Sequence, residues 1–256
     1  MIPYNFHTHT YRCQHAIGTE RQYIENAISM GMKVLGFSDH CPIPFKTGYV
    51  SNIRMTMDQA HEYVKKIRSL ADEYASQIKI KVGFEMEYFP KYFDEQIAFF
   101  DTLNLDYLIL GQHFLRDEEG QQYTGRPTSN PQNLIDYVDS VIAGIKTGKF
   151  TYICHPDLIN FTGNIDFFKT EMTRLCKTAK EVNIPLEVNG LGTDEHRNYP
   201  NPLFWKIAES VGNTALVGMD VHRPDLMTNQ DVFNQCQNII TTHHLPSPSF
   251  VDLNNP

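Results

Sequence analysis

Two histidines one residue apart, His7 and His9, close an apolar stretch that opens the chain. In a strand the two-residue period sends both imidazoles to one side, where their neutral ring nitrogens offer two donors to one cation. The same placement recurs down the sequence: apolar runs end at Asp39-His40, Glu85, His113, His155, Asn189 and the Asp220-x-His222 pair. Imidazole and carboxylate donors suit zinc, manganese or iron better than magnesium or copper(I). They outnumber the shell of a single four-coordinate ion, so more than one divalent ion is expected. A carboxylate bridges metals well, and Glu85, flanked by strand ends on both sides, is the expected bridge. Clustered cations acidify a bound water and neutralise phosphate charge. The chemistry indicated is metal-assisted hydrolysis, with a phosphate ester as the leading substrate.

Those residues need a scaffold that brings strand ends together. Residues 33–38, 78–84, 106–111, 150–154, 184–188 and 214–218 read as short buried strands and, with the opening segment, make seven. Between them lie helical signals. Thr19-x-x-Gln22 has capping-box form, Asn130-Pro131 and Asn201-Pro202 supply caps followed by proline, and apolar stripes run through Met57–Ala71, Leu134–Ile145 and Phe168–Val182. Further helices are expected near 93–102 and 230–241. Strands alternating with helices imply a parallel sheet. An open doubly wound sheet would carry a Gly-rich phosphate loop after the first strand, and none is present. A closed barrel gathers functional residues at the C-terminal ends of its strands. The expected architecture is therefore one α/β domain over residues 1–256, a TIM-like (β/α)7 barrel of seven strands, with a loose tail from about 245.

Bulk composition narrows the partners. The chain of 256 residues has 41% hydrophobic and 20% charged residues and a net charge of −8. That is an ordinary globular composition with no electrostatic footprint for nucleic acid. Five cysteines (Cys13, Cys41, Cys154, Cys176 and Cys236) are an odd number without CxxC spacing, which points to reduced thiols. No leader-like segment and no long apolar span is visible, so a cytoplasmic protein without membrane contact is expected, as monomer or homodimer.

His7-x-His9, His15, Ser38-Asp39-His40, Gly83-Phe84-Glu85, His113, His155-Pro156 and Asp220-x-His222 together resemble the polymerase-and-histidinol-phosphatase (PHP) superfamily. Cys-Pro-Ile-Pro after His40, His155-Pro-Asp-Leu and Tyr199-Pro200 look most like its histidinol-phosphate phosphatase branch. The resemblance spans essentially the whole chain. It implies a distorted seven-stranded barrel and a three-metal site: His7, His9, Glu85 and Asp220 on one ion, His15, His40 and His222 on a second, and Glu85, His113 and His155 on a third. Across all readings two or three divalent ions (zinc, manganese or iron) are expected, with Glu85, Asp220 and His222 central to catalysis. A hydroxide bridging the ions would attack phosphorus, and the substrate implied is L-histidinol phosphate, a step of histidine biosynthesis. Two places where the branch carries arginine hold Asn160 and Gly192 instead. Arg197, Arg116 and Arg223 are then the candidates for gripping phosphate, since an asparagine does not replace a two-pronged guanidinium.

Other residues take quieter expectations. Asp39 and Glu87 are expected to orient ligand histidines rather than bind metal. Tyr11, Arg12 and Gln14 are expected to border the substrate pocket, Glu187 to face the barrel interior, and Cys41 and Cys154 to be small buried thiols. His61, His243 and His244 read as surface residues, and Trp205 as core. A phosphodiesterase or nuclease of the same superfamily is the alternative enzyme, disfavoured by the lack of a basic groove. A non-catalytic metal-binding module is the weaker alternative, since the ligand set is complete.

Overall fold

The computed structural model describes residues 2–248. Capping chemistry sets the helix starts. Thr19 and Gln22 satisfy each other's backbone N–H groups ahead of α1 (Glu20–Ser29), and Thr56 and Gln59 do the same ahead of α2 (Met57–Glu73). Asn130, Asn164 and Asn201 accept first-turn N–H groups at α4 (Pro131–Lys146), α5 (Ile165–Glu181) and α7 (Pro202–Val211). Along α2, Ala60, Tyr63, Val64, Ile67 and Leu70 step by three and four residues and are all buried.

The chain forms two compact units. The first comprises the N-terminus to Met86, Pro90–Leu108 and Gly218–Phe233. Its parallel pairs are β1 (Tyr4–Asn5) with β2 (Val34–His40) and β2 with β3 (Lys79–Met86), and β4 (Tyr107–Leu110) follows β3 in the sheet order. Beyond its first residue β3 is buried throughout, as is all of β2, which is what a parallel sheet covered on both faces requires. The register sets His40 directly opposite Glu85. Close backbone approach is needed here: a Cβ at Gly83 would stand 2.3 Å from the Tyr107 carbonyl oxygen. α3 (Phe93–Leu103) and the short α8 (Pro224–Met227) complete this unit.

The second unit comprises Glu87–Phe89, Ile109–Val217 and the chain from Asn234. It pairs β5 (Leu186–Asn189) with β6 (Ala215–Gly218) and contains α4, α5, α7 and a short α6 (Gly190–Asp194). α9 (Gln230–Thr242) begins in the first unit and runs into the second.

Three expectations change. The strand expected at 150–154 is only a bridging residue, Ile153, which pairs in parallel with Leu110 on one side and Leu186 on the other. The next residue but one, His155, leaves extended geometry at φ 31°, so no longer ladder forms and the described residues contain six strands. The opening strand is likewise shorter than expected. After Asn5 its ladder is broken by the Asn5 side chain, which donates to the His7 carbonyl and to Thr8 Oγ1 (both 2.9 Å). Pairing resumes at Thr8, bridged to Val221. Finally, the start of the expected loose tail is held: Leu245 is buried and the Pro246 carbonyl accepts from Ala215 N–H at 2.8 Å. Residues 249–256 of that tail lie outside the described residues. All five cysteines are buried thiols outside any disulfide. Among the described residues no helix is long and apolar enough to cross a membrane.

Candidate metal centre

In the first unit the extended segment 7–9 is clamped on both sides. His9 N–H donates to Val221 O (2.9 Å), Val221 N–H to His7 O (3.0 Å), and Ser38 N–H to Thr8 O (2.9 Å). With Thr8 turned the other way, His7 and His9 face the same carboxylates. His7 Nε2 lies 3.5 Å from Glu85 Oε2 and 3.4 Å from Asp220 Oδ1, and His9 Nε2 lies 3.5 and 3.2 Å from the same two oxygens. Ligands held about 2.0–2.2 Å from a tetrahedral zinc ion stand about 3.3–3.6 Å from one another. Four edges of such a tetrahedron are therefore present among four side chains that are at most 5% exposed. Neither ring nitrogen of the fully buried His9 makes a hydrogen bond of ordinary geometry, although the cost of burying such a group bare is high. The residues fit a divalent ion.

His40 joins from β2, its Nδ1 3.0 Å from Glu85 Oε2. His222 stacks on His9, with ring centroids 3.9 Å apart and planes at 18°, and sets Nδ1 3.3 Å from Asp220 Oδ1. His15, from the loop after a 3-10 turn at Tyr11–Cys13, places its Nε2 3.0 Å from His222 Nε2. Behind the ligands, Asp39 stands 3.4 Å from His9 Nδ1. It accepts from His40 N–H (2.8 Å), from Thr10 N–H (3.1 Å) and from the Thr10 hydroxyl. Asp220 holds φ at 51°, a left-handed conformation that a non-glycine residue adopts only under constraint.

The electrostatics favour positive charge. Burial alone would lower His9, but contacts with Asp220, Asp39 and Cys13 outweigh it and hold the imidazole well above its ordinary pKa. Burial would raise Asp220, yet the charge of His7 and contacts with His222 and His9 hold it well below the usual carboxylate range. Burial and the charge of Asp39 push the Cys13 thiol up, whereas His15, His222 and His9 bring it down to about 5. The same carboxylate charge that favours protons on the neighbouring imidazoles would favour a divalent cation in their place.

The second unit carries its own cluster. His113 Nδ1 lies 3.2 Å from Glu87 Oε1, and the His113 and His155 rings meet edge to face at 4.9 Å. Glu187 is fully buried. Its Oε1 accepts from His155 N–H (3.2 Å) and from the Asn189 side chain (2.7 Å). His155 packs 5.8 Å from the ring of Tyr199, whose hydroxyl accepts from Arg197 Nη1 at 2.9 Å. Of the arginines singled out from sequence, Arg197 thus shares a neighbour with His155. Arg116 forks onto Asp136 of α4 at the surface, and Arg223 pairs with Asp225. Gln14 Nε2 is taken up by the carbonyls of Ser51 and Arg54 (3.1 and 3.0 Å).

The two missing arginines have physical explanations. A Cβ on Gly192 would meet the Tyr199 ring and carbonyl at 2.5 Å, so no side chain fits there. Asn160 is a backbone tie: its side chain donates to Gly125 O, and its main chain pairs with Thr124 and Thr128. Sequence reading passed over Cys13. The signal was its position two residues before His15, inside a turn whose cap, Thr10, is held by Asp39.

Imidazoles and carboxylates gathered at the ends of parallel strands define the class, a metal-dependent hydrolase of α/β type. The chain belongs to the PHP domain family, whose model matches residues 5–190. It is 28% identical over 229 residues to a Deinococcus radiodurans protein described as a probable histidinol-phosphatase, covering 85% of each chain. It is 34% identical over 118 residues, 44% of each chain, to the histidinol-phosphatase of Bacillus subtilis. The fold is shared with a histidinol phosphate phosphatase from Lactococcus lactis solved with zinc, L-histidinol and phosphate. That match has a TM-score of 0.75, 16% identity, and covers 96% of this chain and 95% of that one. Among these relatives, this chain stands as a metal-dependent phosphatase.

Proposed function

We propose that this chain, acting as one catalytic domain, hydrolyses L-histidinol phosphate to histidinol and phosphate in histidine biosynthesis. The observation that carries the metal-dependent part is the buried set of His7, His9, Glu85 and Asp220, spaced like the edges of one coordination tetrahedron. The choice of ester is supported by the names of the relatives above. His15, His40 and His222 are proposed to hold a further ion, and His113 and His155 to add ligands of their own. Divalent ions held there would supply Lewis-acid charge against the phosphate oxygens and acidify a water.

The chain's own residues do the rest. Asp39, carrying contacts from Thr10 and His40, fixes the His9 ring against rotation. Glu87 does the same for His113. Arg197, braced by Glu195 and Tyr199, is proposed to grip the phosphate in place of the two absent arginines. A cytoplasmic setting and closure of the seven strand segments into a barrel belong to the same proposal.

Purified protein loaded with zinc or manganese should release inorganic phosphate from L-histidinol phosphate in preference to phosphodiesters and single-stranded DNA. Glu85→Gln and His7→Ala should each reduce that release to background. Undiminished release in both variants would refute the site.

A further inference from the structure

Resting on the metal-dependent reading above, we propose that Cys13 is a thiolate ligand beside His15 and His222, making that shell a mixed nitrogen–sulfur set suited to zinc. The geometry begins with two tautomers. His15 Nδ1 stands 2.6 Å from the Cys13 carbonyl oxygen, and His222 Nδ1 stands 3.1 Å from the Asp220 carbonyl oxygen. A carbonyl only accepts, so each Nδ1 carries a hydrogen and each ring turns its Nε2 the other way. Those two Nε2 atoms face each other at 3.0 Å. Two imidazole Nε2 atoms turned toward each other this closely are held together by a shared hydrogen or, in the loaded protein, by a shared cation.

The third donor is already in place. Cys13 Sγ, one ring nitrogen of His15 and one of His222 lie within 4.8 Å of one another. Cys13 is fully buried, and the turn that carries it is built to keep it so. Cys13 N–H donates to Thr10 O (3.1 Å), and Gln14 takes the left-handed φ of 67° that reverses the chain toward His15. His9 and Asp39 form a second donor group with the same sulfur, and His9 is the fully buried imidazole that makes no ordinary hydrogen bond. A small apolar filler would serve packing equally well. A sulfur between three imidazoles serves a soft cation. With His40, proposed above for the same ion, these make four protein donors, the number a tetrahedral zinc ion takes.

The test is metal-edge X-ray absorption on the zinc-loaded full chain, with metal content counted by mass spectrometry on the same samples. The expected result is one sulfur scatterer at about 2.3 Å for one of the bound ions. It should be lost in Cys13→Ser and Cys13→Ala and kept in Cys41→Ser. Cobalt-loaded protein should show a thiolate charge-transfer absorption with the same dependence. A wild-type protein holding two or three zinc ions with nitrogen and oxygen scatterers only would overturn the assignment of Cys13 and leave the metal-dependent reading standing. A protein that binds no zinc would overturn both. Because the wild-type spectrum alone decides whether sulfur is bound, failure of a variant to fold does not protect the proposal.

Discussion

At the scale of single residues, the candidate site surrounds two buried carboxylate oxygens, Glu85 Oε2 and Asp220 Oδ1, with imidazoles 3.0–3.5 Å away. Asp39 touches His9 from behind and also accepts from Thr10 and His40, so its loss should appear in metal affinity as well as in stability. Asp39→Ala is expected to weaken zinc binding about 10–100-fold, the usual effect of losing such a partner, in competition with a chromophoric chelator. Unchanged affinity would mean the ring is held by packing alone. Asp157 gives a pH signature. Burial raises its carboxyl to about 7, against the N–H of Asn201 that its oxygen accepts and with the charge of Glu187 adding to the rise. Between about pH 4 and 7 the folded protein then keeps a proton that the unfolded chain has lost. The associated stability is complete on the acid side and disappears as pH rises through about 7. The loss should amount to at most about 4 kcal/mol for a shift of about three pH units. In urea titrations the stability of wild type relative to Asp157→Asn should fall by up to that amount over the interval; a difference that does not change with pH would contradict it.

At the scale of elements, strand ends and the segments just after them carry the candidate ligands, and the register of β2 and β3 decides one of the pairs that meet. His40 faces Glu85 because β2 and β3 pair in that register. β3 can sit there because Gly83 has no side chain against the Tyr107 carbonyl. Gly83→Ala must push that backbone aside, so it should cost about 1–3 kcal/mol in denaturant unfolding and lower metal content with it. Full metal content at wild-type stability would show that the close approach is dispensable. Much of this level could be read from sequence. Capping boxes and Asn-Pro pairs mark the helix starts because they satisfy backbone groups locally, and apolar runs mark the long buried strands. The misses lie where side chains or torsion angles cut a ladder short: Asn5 interrupting the first strand, and His155 turning the chain after Ile153. The short α6 and α8 carry no apolar stripe, so periodicity could not announce them. Tertiary pairing explains Gly192 as well. Its missing side chain makes sense only once Tyr199 is seen lying over it.

At the scale of the whole chain, the candidate centre draws on residues far apart in sequence, from His7 to His222, most of them marked by strand-end placement and His15 by the family resemblance alone. What sequence could not supply was which donors approach each other, because that depends on torsions such as the left-handed Asp220 and on the turn that buries Cys13. Removing residues 1–9 should therefore abolish metal binding as well as β1, since His7 and His9 leave with the strand. The most direct test of the account is metal counting by mass spectrometry on protein reconstituted with zinc and dialysed to equilibrium. Two or three ions per chain are predicted for the wild type, with the loss of at least one in His9→Ala. Less than one ion per wild-type chain, or an unchanged count in His9→Ala, would contradict it.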